Sequence, residues 1–392
     1  MLITKKIRLK PTTEQEILFR KSAGVSRWAY NFFLGENERI YREYIDNGKV
    51  GKKSISEGDV RKYINNILKP TTHSWLKEVG SNVMKQGVKD ASLALQRYFK
   101  GLSGKPKFKS KHKDRPSFYV NYESLSRKQG GFQGEKIGFV KTSEALPKLN
   151  KNEKYSNPRI TFDGKYWYLS VGYEVQESTV ELTDESLGID LGVKDLAICS
   201  NGKVYKNINK TQRVKKLEKK LKREQRKLSR KIENNIQSYK SNRNPIYKRP
   251  LKECQNIQKQ NRLIRNIHRK LANIRQNHLH QTTTEIAKTK PSRIVMESLN
   301  VSGMMKNKHL SKAIQQQKFY EFKRQIEYKS KLNGIEFIQV DKFYPSSKTC
   351  SCCGNIKKDL KLSDRMYKCD VCGLVIDRDY NASINLANYE VI

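Results

Sequence analysis

The chain has 392 residues, of which 80 are Lys or Arg and 39 are Asp or Glu, so its formal net charge at pH 7 is +41. The length predicts two or three domains, and a hydrophobic content of 36% excludes wholesale disorder. The sequence contains no run of about 18 apolar residues, so no membrane span is predicted. The residues after Met1 alternate between apolar and polar and lack the apolar core of a signal peptide. This charge indicates a polyanionic partner, for which nucleic acid is the main candidate and an anionic membrane surface the alternative. Neither a basic amphipathic helix nor a lipidation signal clearly supports the membrane alternative.

The N-terminal part of the chain begins with a strand pattern and continues with helical patterns. The strand pattern ends at Pro11, and Thr13 to Glu16 predicts a capping box that starts a helix. The helical pattern extends to about Arg115 and closes in a basic segment, residues 97–115, with eight Lys or Arg, one Asp, two Gly and Pro106. The segment is interpreted as a loop that contacts a phosphate backbone, although most charge runs are solvated surface loops.

Strand patterns follow from about Pro116 to Glu177. Apolar residues alternate with polar ones, and Asp163-Gly164 is typical of a two-residue hairpin turn. We expect a small antiparallel barrel or sheet here, with the N-terminal strand as a candidate member.

A second group of strands, from Ser186 to Val204, precedes a basic helical region. Apolar residues at helical spacing occur on both sides of a break at Pro245, which predicts an antiparallel helical hairpin. Residues 205–275 contain 24 Lys or Arg against 4 Asp or Glu, a balance of +20. Because so few acids are available for ion pairs within the hairpin, most of its positive charges lack a partner in this region, which indicates that an external polyanion binds there.

The region after the hairpin has the pattern of an α/β layer. Residues 293–299 predict a buried strand, residues 311–332 a helix that ends at Asn333-Gly334, and residues 335–340 another strand. Two strands separated by a helix are typical of parallel pairing.

Four of the seven cysteines have the spacing of a zinc site. Cys350 and Cys353 form one Cys-x-x-Cys motif, Cys369 and Cys372 form a second one with fifteen residues between the two, and a glycine follows each motif. This spacing predicts a structural zinc ion held by four thiolates in a reducing compartment. Cys352 breaks the spacing and is interpreted as a non-ligand. The isolated cysteines at 199 and 254 are interpreted as core or surface residues.

Three acids lie where a charge is costly unless it is paired or bound to a cation. Asp190 is in the middle of the apolar strand 187–193, Glu297 ends the strand that begins at Ile294, and Asp379 lies at the start of the last helix. Any one of them by itself is more simply explained as a capping or ion-paired acid. Together, in an α/β pattern on a polycationic chain, they predict a site for two Mg²⁺ ions about 4 Å apart that hydrolyses phosphodiesters.

Several segments carry a family resemblance. They are Gly188–Asp195, Val295–Val301, Pro345–Cys350 and Asp377–Asn385, together with residues 86–118 nearer the N-terminus. In this order they resemble the insertion-sequence OrfB/TnpB family, which is similar to compact type V CRISPR effectors. The resemblance covers nearly the whole chain. Ser383 stands where the family usually has Ala, and Cys352 occupies a variable position.

The resemblance implies an RNA-guided DNA endonuclease of a transposable element. Such a protein binds a guide RNA and cleaves complementary double-stranded DNA beside a short flanking motif, by Mg²⁺-dependent hydrolysis. The family's three acids match Asp190, Glu297 and Asp379, and Asp377 is a lower-ranked neighbour of the third. The four cysteines match a zinc ribbon. Two alternatives stay open: a DNA-joining transposase that uses the same acids, and an RNA-guided repressor that does not cleave.

The resemblance also implies a fold class and a domain order. The expected fold is α/β: a RuvC-like nuclease domain of RNase H fold with an inserted zinc ribbon and basic helical hairpin, plus a helical recognition lobe and a small β-barrel. The expected domains are a first barrel (wedge) strand at 1–10, a recognition domain at 11–115, the rest of the barrel at 116–180, the nuclease domain at 181–344 with the hairpin at 205–285, the zinc ribbon at 345–375 and the last nuclease motif at 376–392. The expected location is the prokaryotic cytoplasm, in association with the nucleoid.

Overall fold

The structure, a computed structural model, describes residues 1–111, 113–176, 181–361 and 364–390. Internal contacts divide the chain into two units, Met1–Val175 and Gln176–Ile392. Parts of the predicted domains lie outside the described residues: position 112 in the basic segment, 177–180 at the predicted barrel boundary, 362–363 in the predicted zinc ribbon, and 391–392 at the C-terminus. No helix within the described residues is long and apolar enough to cross a membrane.

The first unit combines helices with one antiparallel sheet. Its elements are β1 (Leu2–Lys10), α1 (Thr13–Asp46), α2 (Glu57–Tyr63) followed by a π-helical turn (Ile64–Leu68), a 3₁₀ helix (Ser74–Glu78), α3 (Ser81–Phe99), β2 (Ser117–Tyr119), β3 (Ser126–Lys128), β4 (Gly131–Gly134), β5 (Gly138–Thr142), β6 (Ser156–Phe162) and β7 (Trp167–Glu174). The strand order is β2-β6-β7-β1-β5-β4-β3, so the N-terminal strand lies in the middle of the sheet. Among the described residues no pairing joins the edge strands β2 and β3, and a closed barrel stays a prediction.

The first helix begins one residue earlier than the sequence pattern indicates. The capping box expected at residues 13–16 is formed instead by Thr12, whose hydroxyl accepts from the Gln15 backbone N–H, while the Gln15 side chain accepts from the Thr12 N–H. The Gln15 amide also donates to the carbonyl oxygens of Ile137 and Phe139. Tertiary contacts with the sheet therefore fix the cap in this register.

The predicted hairpin at Asp163-Gly164 is present, and its turn is centred one residue further along the chain. Phe162 pairs with Trp167 at the ends of the strands, and the Asp163 backbone N–H donates to the Tyr166 carbonyl at 3.0 Å, so Gly164 and Lys165 lie at the turn. The Asp163 carboxylate also accepts from the Tyr166 backbone N–H at 2.7 Å, which stabilises the turn.

An ion pair of low exposure joins α3 to β6. Two guanidinium nitrogens of Arg159 donate to the two carboxylate oxygens of Asp90 at 2.7 and 2.8 Å, and Gln86 donates to the same carboxylate at 2.8 Å. Burial by itself would raise the pKa of Asp90, but the hydrogen bonds from Arg159 and Gln86 hold it below its ordinary value.

Substitution of this acid should destabilise the first unit in a pH-dependent way. We expect Asp90→Asn to lower the free energy of unfolding by about 2–3 kcal/mol at pH 7, because the Arg159 charge loses its partner. The folded pKa of Asp90 lies below its unfolded value of about 3.9, so the contribution is present above about pH 4 and is lost as the pH falls through the folded pKa. Denaturant unfolding at several pH values measures this, with the exposed Asp46→Asn as control. Equal losses for both variants would contradict the prediction.

The second unit is a mixed α/β structure, as the sequence predicted. Its elements are β8 (Thr183–Leu191), β9 (Asp195–Cys199), β10 (Val204–Lys206), a 3₁₀ helix (Ile208–Lys210), α4 (Gln212–Glu233), β11 (Ile236–Tyr239), β12 (Pro245–Tyr247), α5 (Gln255–Lys288), β13 (Pro291–Met296), α6 (Val301–Met304), α7 (Ser311–Gln317), α8 (Phe319–Leu332), β14 (Glu336–Gln339), β15 (Met366–Lys368), β16 (Val375–Asp377) and α9 (Arg378–Ala387). The main sheet has the order β10-β9-β8-β13-β14. Strands β8, β13 and β14 are parallel, and β9 and β10 are antiparallel to their neighbours.

The predicted helical hairpin is formed by α4 and α5, with the short ribbon β11–β12 at its tip. Two polar contacts show that the helices are antiparallel: Gln260 donates to the Glu224 carboxylate at 2.9 Å, and Arg275, later on α5, donates to Glu218, earlier on α4, at 2.8 Å. A small apolar seam lies between the helices, and most of the Lys and Arg residues face solvent. The hairpin therefore exposes a largely cationic surface.

The helix predicted over residues 311–332 is interrupted at Lys318. This residue has a φ of 55°, which ends α7 and lets α8 start in a new direction. The buried Gln317 amide donates to the Gly192 carbonyl at 2.9 Å, and the Lys318 ammonium donates to Gln276 at 3.2 Å. These long-range contacts favour a break that local sequence spacing does not reveal.

Candidate active site and metal centre

Two of the three predicted acids are neighbours across parallel strands. In the register of β8 and β13, Ile189 lies opposite Met296, so the following residues, Asp190 and Glu297, come side by side at the carboxyl ends of the strands. Asp190 and the Leu191 backbone therefore lie beside the Glu297 carboxylate and act on its pKa. The strand order thus brings together two carboxylates that are more than a hundred residues apart in sequence.

The third acid is supplied by α9, which packs directly on β8. A Cβ at Gly188 would lie 1.9 Å from the Ser383 carbonyl oxygen and 2.4 Å from the Ala387 nitrogen, so only glycine permits this approach. The Ser186 hydroxyl donates to the Ala387 carbonyl at 2.6 Å and fixes the other end of the contact. Asp379, in the first turn of the helix, is thereby held beside the acids of the sheet.

The three carboxylates repel one another in a poorly solvated site. Burial is the main cause that raises the pKa of Asp190 well above its ordinary value; the charges of Glu297 and Asp379 add to it, and Arg378 opposes it. Burial and the Asp379 charge raise the pKa of Glu297 to about 7, against the opposing hydrogen bonds from Leu191 and Asp190. A cation bound between the carboxylates would remove this repulsion.

The structure distinguishes the two acids that flank Arg378. The Asp377 carboxylate accepts from the backbone N–H groups of Asp379 and Tyr380, both at 3.0 Å, and so caps α9. Asp379 accepts from the Arg378 guanidinium at 2.9 Å. No role for Arg378 was predicted from the sequence, although its position between Asp377 and Asp379 could have indicated an ion pair with one of these acids. Its charge balances part of the acid cluster.

The four predicted zinc ligands converge on one point. Their sulfur atoms lie within 4.8 Å of one another, with 3.6 Å between Cys350 and Cys372 and 3.5 Å between Cys353 and Cys369. A tetrahedral zinc ion with bonds of about 2.3 Å separates its sulfur ligands by about 3.8 Å, so these distances fit a bound ion and exclude a disulfide. Cys352 is exposed and lies outside the cluster.

The two cysteine loops have the same backbone design. Gly354 donates its N–H to the Cys350 carbonyl at 3.0 Å, and Gly373 donates to the Cys369 carbonyl at 3.2 Å. Both glycines have a positive φ, 74° and 73°, as the tight turns require. Backbone N–H groups, that of Cys372 first, lower the pKa of Cys369 and favour the thiolate that binds a metal.

The basic segment, residues 97–115, is anchored in its middle. The Asn31 side chain accepts from the Lys109 backbone N–H at 2.7 Å and donates to its carbonyl at 2.8 Å, and the Lys109 ammonium lies 3.8 Å from the centre of the Tyr30 ring. Most of the other described residues of the segment are exposed, including Phe99 and Phe108. The segment is therefore a positioned loop that presents cations and aromatic rings to solvent.

Comparison with known proteins identifies the family. Three family profiles match: one described as a "Helix-turn-helix domain" of OrfB from IS605 (residues 1–46), one described as "Probable transposase", OrfB of IS605 (residues 170–308), and one described as "Cas12f1-like, TNB domain" (residues 319–386). Residues 1–46 form one strand and one continuous helix here, so the first description does not fit their secondary structure.

Curated relatives cover almost the whole chain. "Putative RNA-guided DNA endonuclease InsQ" of Escherichia coli (strain K12) is 30% identical over 97% of this chain and 90% of the relative. A "Putative RNA-guided DNA endonuclease" of Streptomyces pristinaespiralis is 26% identical over 97% and 87% of the two chains. The CRISPR-associated endodeoxyribonuclease Cas12f1 of Sulfoacidibacillus thermotolerans is 30% identical over 56% of this chain and 50% of the relative.

The fold agrees with these sequence relationships. In a cryo-EM structure of a Cas12f1–sgRNA–target DNA complex, the protein is similar to this chain with a TM-score of 0.53 and 16% identity, over 99% of both chains. The chain is a mixed α/β protein whose fold is similar to that of Cas12f1. It belongs to the insertion-sequence OrfB/TnpB family.

Proposed function

We propose that the chain is an RNA-guided DNA endonuclease of a mobile element, which acts in the cytoplasm of a prokaryote. The observation that carries the proposal is the convergence of Asp190, Glu297 and Asp379 at one edge of a sheet in a chain with a net charge of +41. Two relatives that match 97% of this chain bear the name "Putative RNA-guided DNA endonuclease", which supports the same assignment.

The second unit is proposed to be a RuvC-like nuclease domain. Its strand order, β10-β9-β8-β13-β14, in which β9 alone runs opposite to the other four strands, is the order 3-2-1-4-5 that supports an RNase H fold. The cysteine loops would form a zinc ribbon inserted before the last acid. In the first unit, the sheet would be the wedge domain and the helices the recognition domain.

The catalytic acids are proposed to hold Mg²⁺, and their chemistry fits such an ion. They offer carboxylate oxygens, which Mg²⁺ prefers, and they carry negative charges that no described cation other than Arg378 is shown to balance. Mg²⁺ bound there would activate a water and stabilise the negative charge that develops on the scissile phosphate. The Asp377 cap holds the first turn of the helix that carries Asp379.

The cationic surfaces are proposed to bind the guide RNA and the DNA. The hairpin α4–α5 and the basic segment present Lys and Arg side chains that neutralise phosphates, and the exposed rings of Phe99 and Phe108 can stack on unpaired bases. Base pairing between the guide and one DNA strand would then supply the sequence specificity.

One experiment tests the function directly. The protein is purified from cells that carry its native flanking DNA, the copurifying RNA is sequenced, and the complex is incubated with Mg²⁺ and a DNA library with randomised flanks. We expect cleavage of DNA that is complementary to the RNA and next to one short motif. Absence of copurifying RNA, or equal cleavage after RNA removal, would refute the guiding role. Joined DNA products would identify a transposase, and stable guided binding without cleavage would identify a repressor.

A further inference from the structure

Two buried asparagines lie on the helix that carries the third acid. Asn381 is completely buried and Asn385 is 5% exposed, and neither side chain belongs to the acid cluster or to the cysteine cluster. A buried amide is costly unless its donors and acceptor are hydrogen-bonded. The partners of these two amides therefore indicate what the helix is held against.

Both amides bond to the backbone around Cys350. The four hydrogen bonds run from Asn381 Nδ2 to Thr349 O (2.7 Å), from Ser351 N to Asn381 Oδ1 (3.0 Å), from Asn385 Nδ2 to Ser346 O (2.7 Å) and from Asn385 Nδ2 to Thr349 O (2.7 Å). The residues on both sides of Cys350 are thus tied to α9. The Tyr344 hydroxyl adds a bond to the Asn385 carbonyl at 3.0 Å.

The same helix connects these bonds to the acid site. Asp379 lies two residues before Asn381, in the first turn of α9. A helix moves as a rigid rod over this distance, so a shift of the Cys350 loop would displace Asp379 relative to Asp190 and Glu297. A metal ion bound by four thiolates joins the two cysteine loops directly, whereas without the ion they are joined by fewer contacts, chiefly the buried Tyr367 and its hydrogen bonds to the Lys348 and Asn355 carbonyls.

We propose that Asn381 and Asn385 are positioning residues that transmit the order of the metal-loaded cysteine cluster to Asp379. The ion at the four cysteines thereby contributes to the affinity of the acid site for its own divalent ion, without contact between the two metal sites. This inference rests on the proposed function for the role of the acids, but the hydrogen bonds that carry it do not depend on catalysis.

The first test compares Asn381→Ala with Asn388→Ala in the full chain with its RNA. Asn388 is the exposed C-cap of the same helix and serves as the matched control. We expect Asn381→Ala to raise the Mg²⁺ concentration for half-maximal cleavage about tenfold or more, as the loss of other outer-shell contacts does. Saturating Mg²⁺ should restore much of the rate, and zinc content and DNA binding should stay at the parent's level. A loss of rate that no Mg²⁺ concentration reverses would indicate a merely structural role and overturn the proposal.

The second test links this effect to the cysteine cluster. Cys353→Ser removes a ligand, and Cys352→Ser changes the adjacent exposed cysteine that lies outside the cluster. We expect only Cys353→Ser to lose zinc, to weaken Mn²⁺ binding in an EPR titration and to speed amide hydrogen exchange in α9. The double variant Cys353→Ser/Asn381→Ala should bind Mn²⁺ no more weakly than the weaker-binding single variant, because both substitutions break the same connection between the cysteine cluster and α9. Additive effects, or unchanged exchange in α9, would refute the coupling.

The two proposals fail in different ways. If the parent protein cleaved no DNA and bound no Mn²⁺ at the acids, the proposed function would fail. The hydrogen-exchange comparison of Cys353→Ser with Cys352→Ser would still decide whether the cysteine cluster orders α9.

Discussion

Asp190→Asn should abolish guided cleavage while it stabilises the protein in the absence of divalent ions. The substitution removes a metal-binding charge that supplies several kcal/mol of transition-state stabilisation, so we expect the single-turnover rate to fall by at least about a hundredfold. Guide RNA and target DNA should bind with unchanged affinity. Because burial and the charges of Glu297 and Asp379 raise the pKa of Asp190, this acid destabilises the fold at pH values above its unfolded pKa, and asparagine relieves that cost.

The raised pKa of Asp190 predicts how the stability gain of Asp190→Asn depends on pH. A protein becomes less stable as the pH increases from the unfolded pKa of such an acid towards its folded pKa. The difference in unfolding temperature between Asp190→Asn and the parent should therefore grow over that range and then level off. Thermal unfolding without added Mg²⁺ measures it. Glu336→Gln, which changes an exposed acid on strand β14 of the same sheet, is the control and should change neither the rate nor the stability. Cleavage by Asp190→Asn at the parent's rate would refute the site assignment.

Gly188→Ala should disrupt the contact between β8 and α9. Its methyl group would lie 1.9 Å from the Ser383 carbonyl oxygen, and neither backbone can yield without movement of the helix. Overpacking of this kind costs about 1–3 kcal/mol, and here it also shifts Asp379 away from Asp190. We therefore expect a lower unfolding temperature together with a loss of cleavage that exceeds the loss of folded protein.

A second glycine provides a comparison for this prediction. Gly35 lies within α1, and a methyl group there would meet no neighbouring atom of the described residues within 4 Å, so Gly35→Ala should leave stability unchanged or raise it by about 0.5–1 kcal/mol. Unfolding is followed by calorimetry, and cleavage by a gel assay at equal concentrations of folded complex. Equal stability of Gly188→Ala and the parent would mean that α9 does not pack on β8 as described.

Local sequence predicted features that depend on near neighbours. The cysteine loops are predictable from two cysteines within four residues and a following glycine, which has a positive φ in the structure. The helical hairpin is predictable from apolar residues at helical spacing on both sides of Pro245. Features that depend on distant contacts were missed or misplaced. The cap at Thr12 and the break at Lys318 are set by side chains that bond to other elements.

Charge, residue spacing and local apolarity are enough to predict a polyanionic partner, a metal ion at four cysteines and three acids placed at unusual cost, because these properties do not depend on the fold. Three further features become visible only in the folded chain: Asp190 and Glu297 come side by side, Asp377 caps the helix on which Asp379 lies beside the other acids, and two asparagines join this helix to the cysteine loop. Strand register and helix packing bring these residues together, and their separation in sequence carries no information about their distance in space.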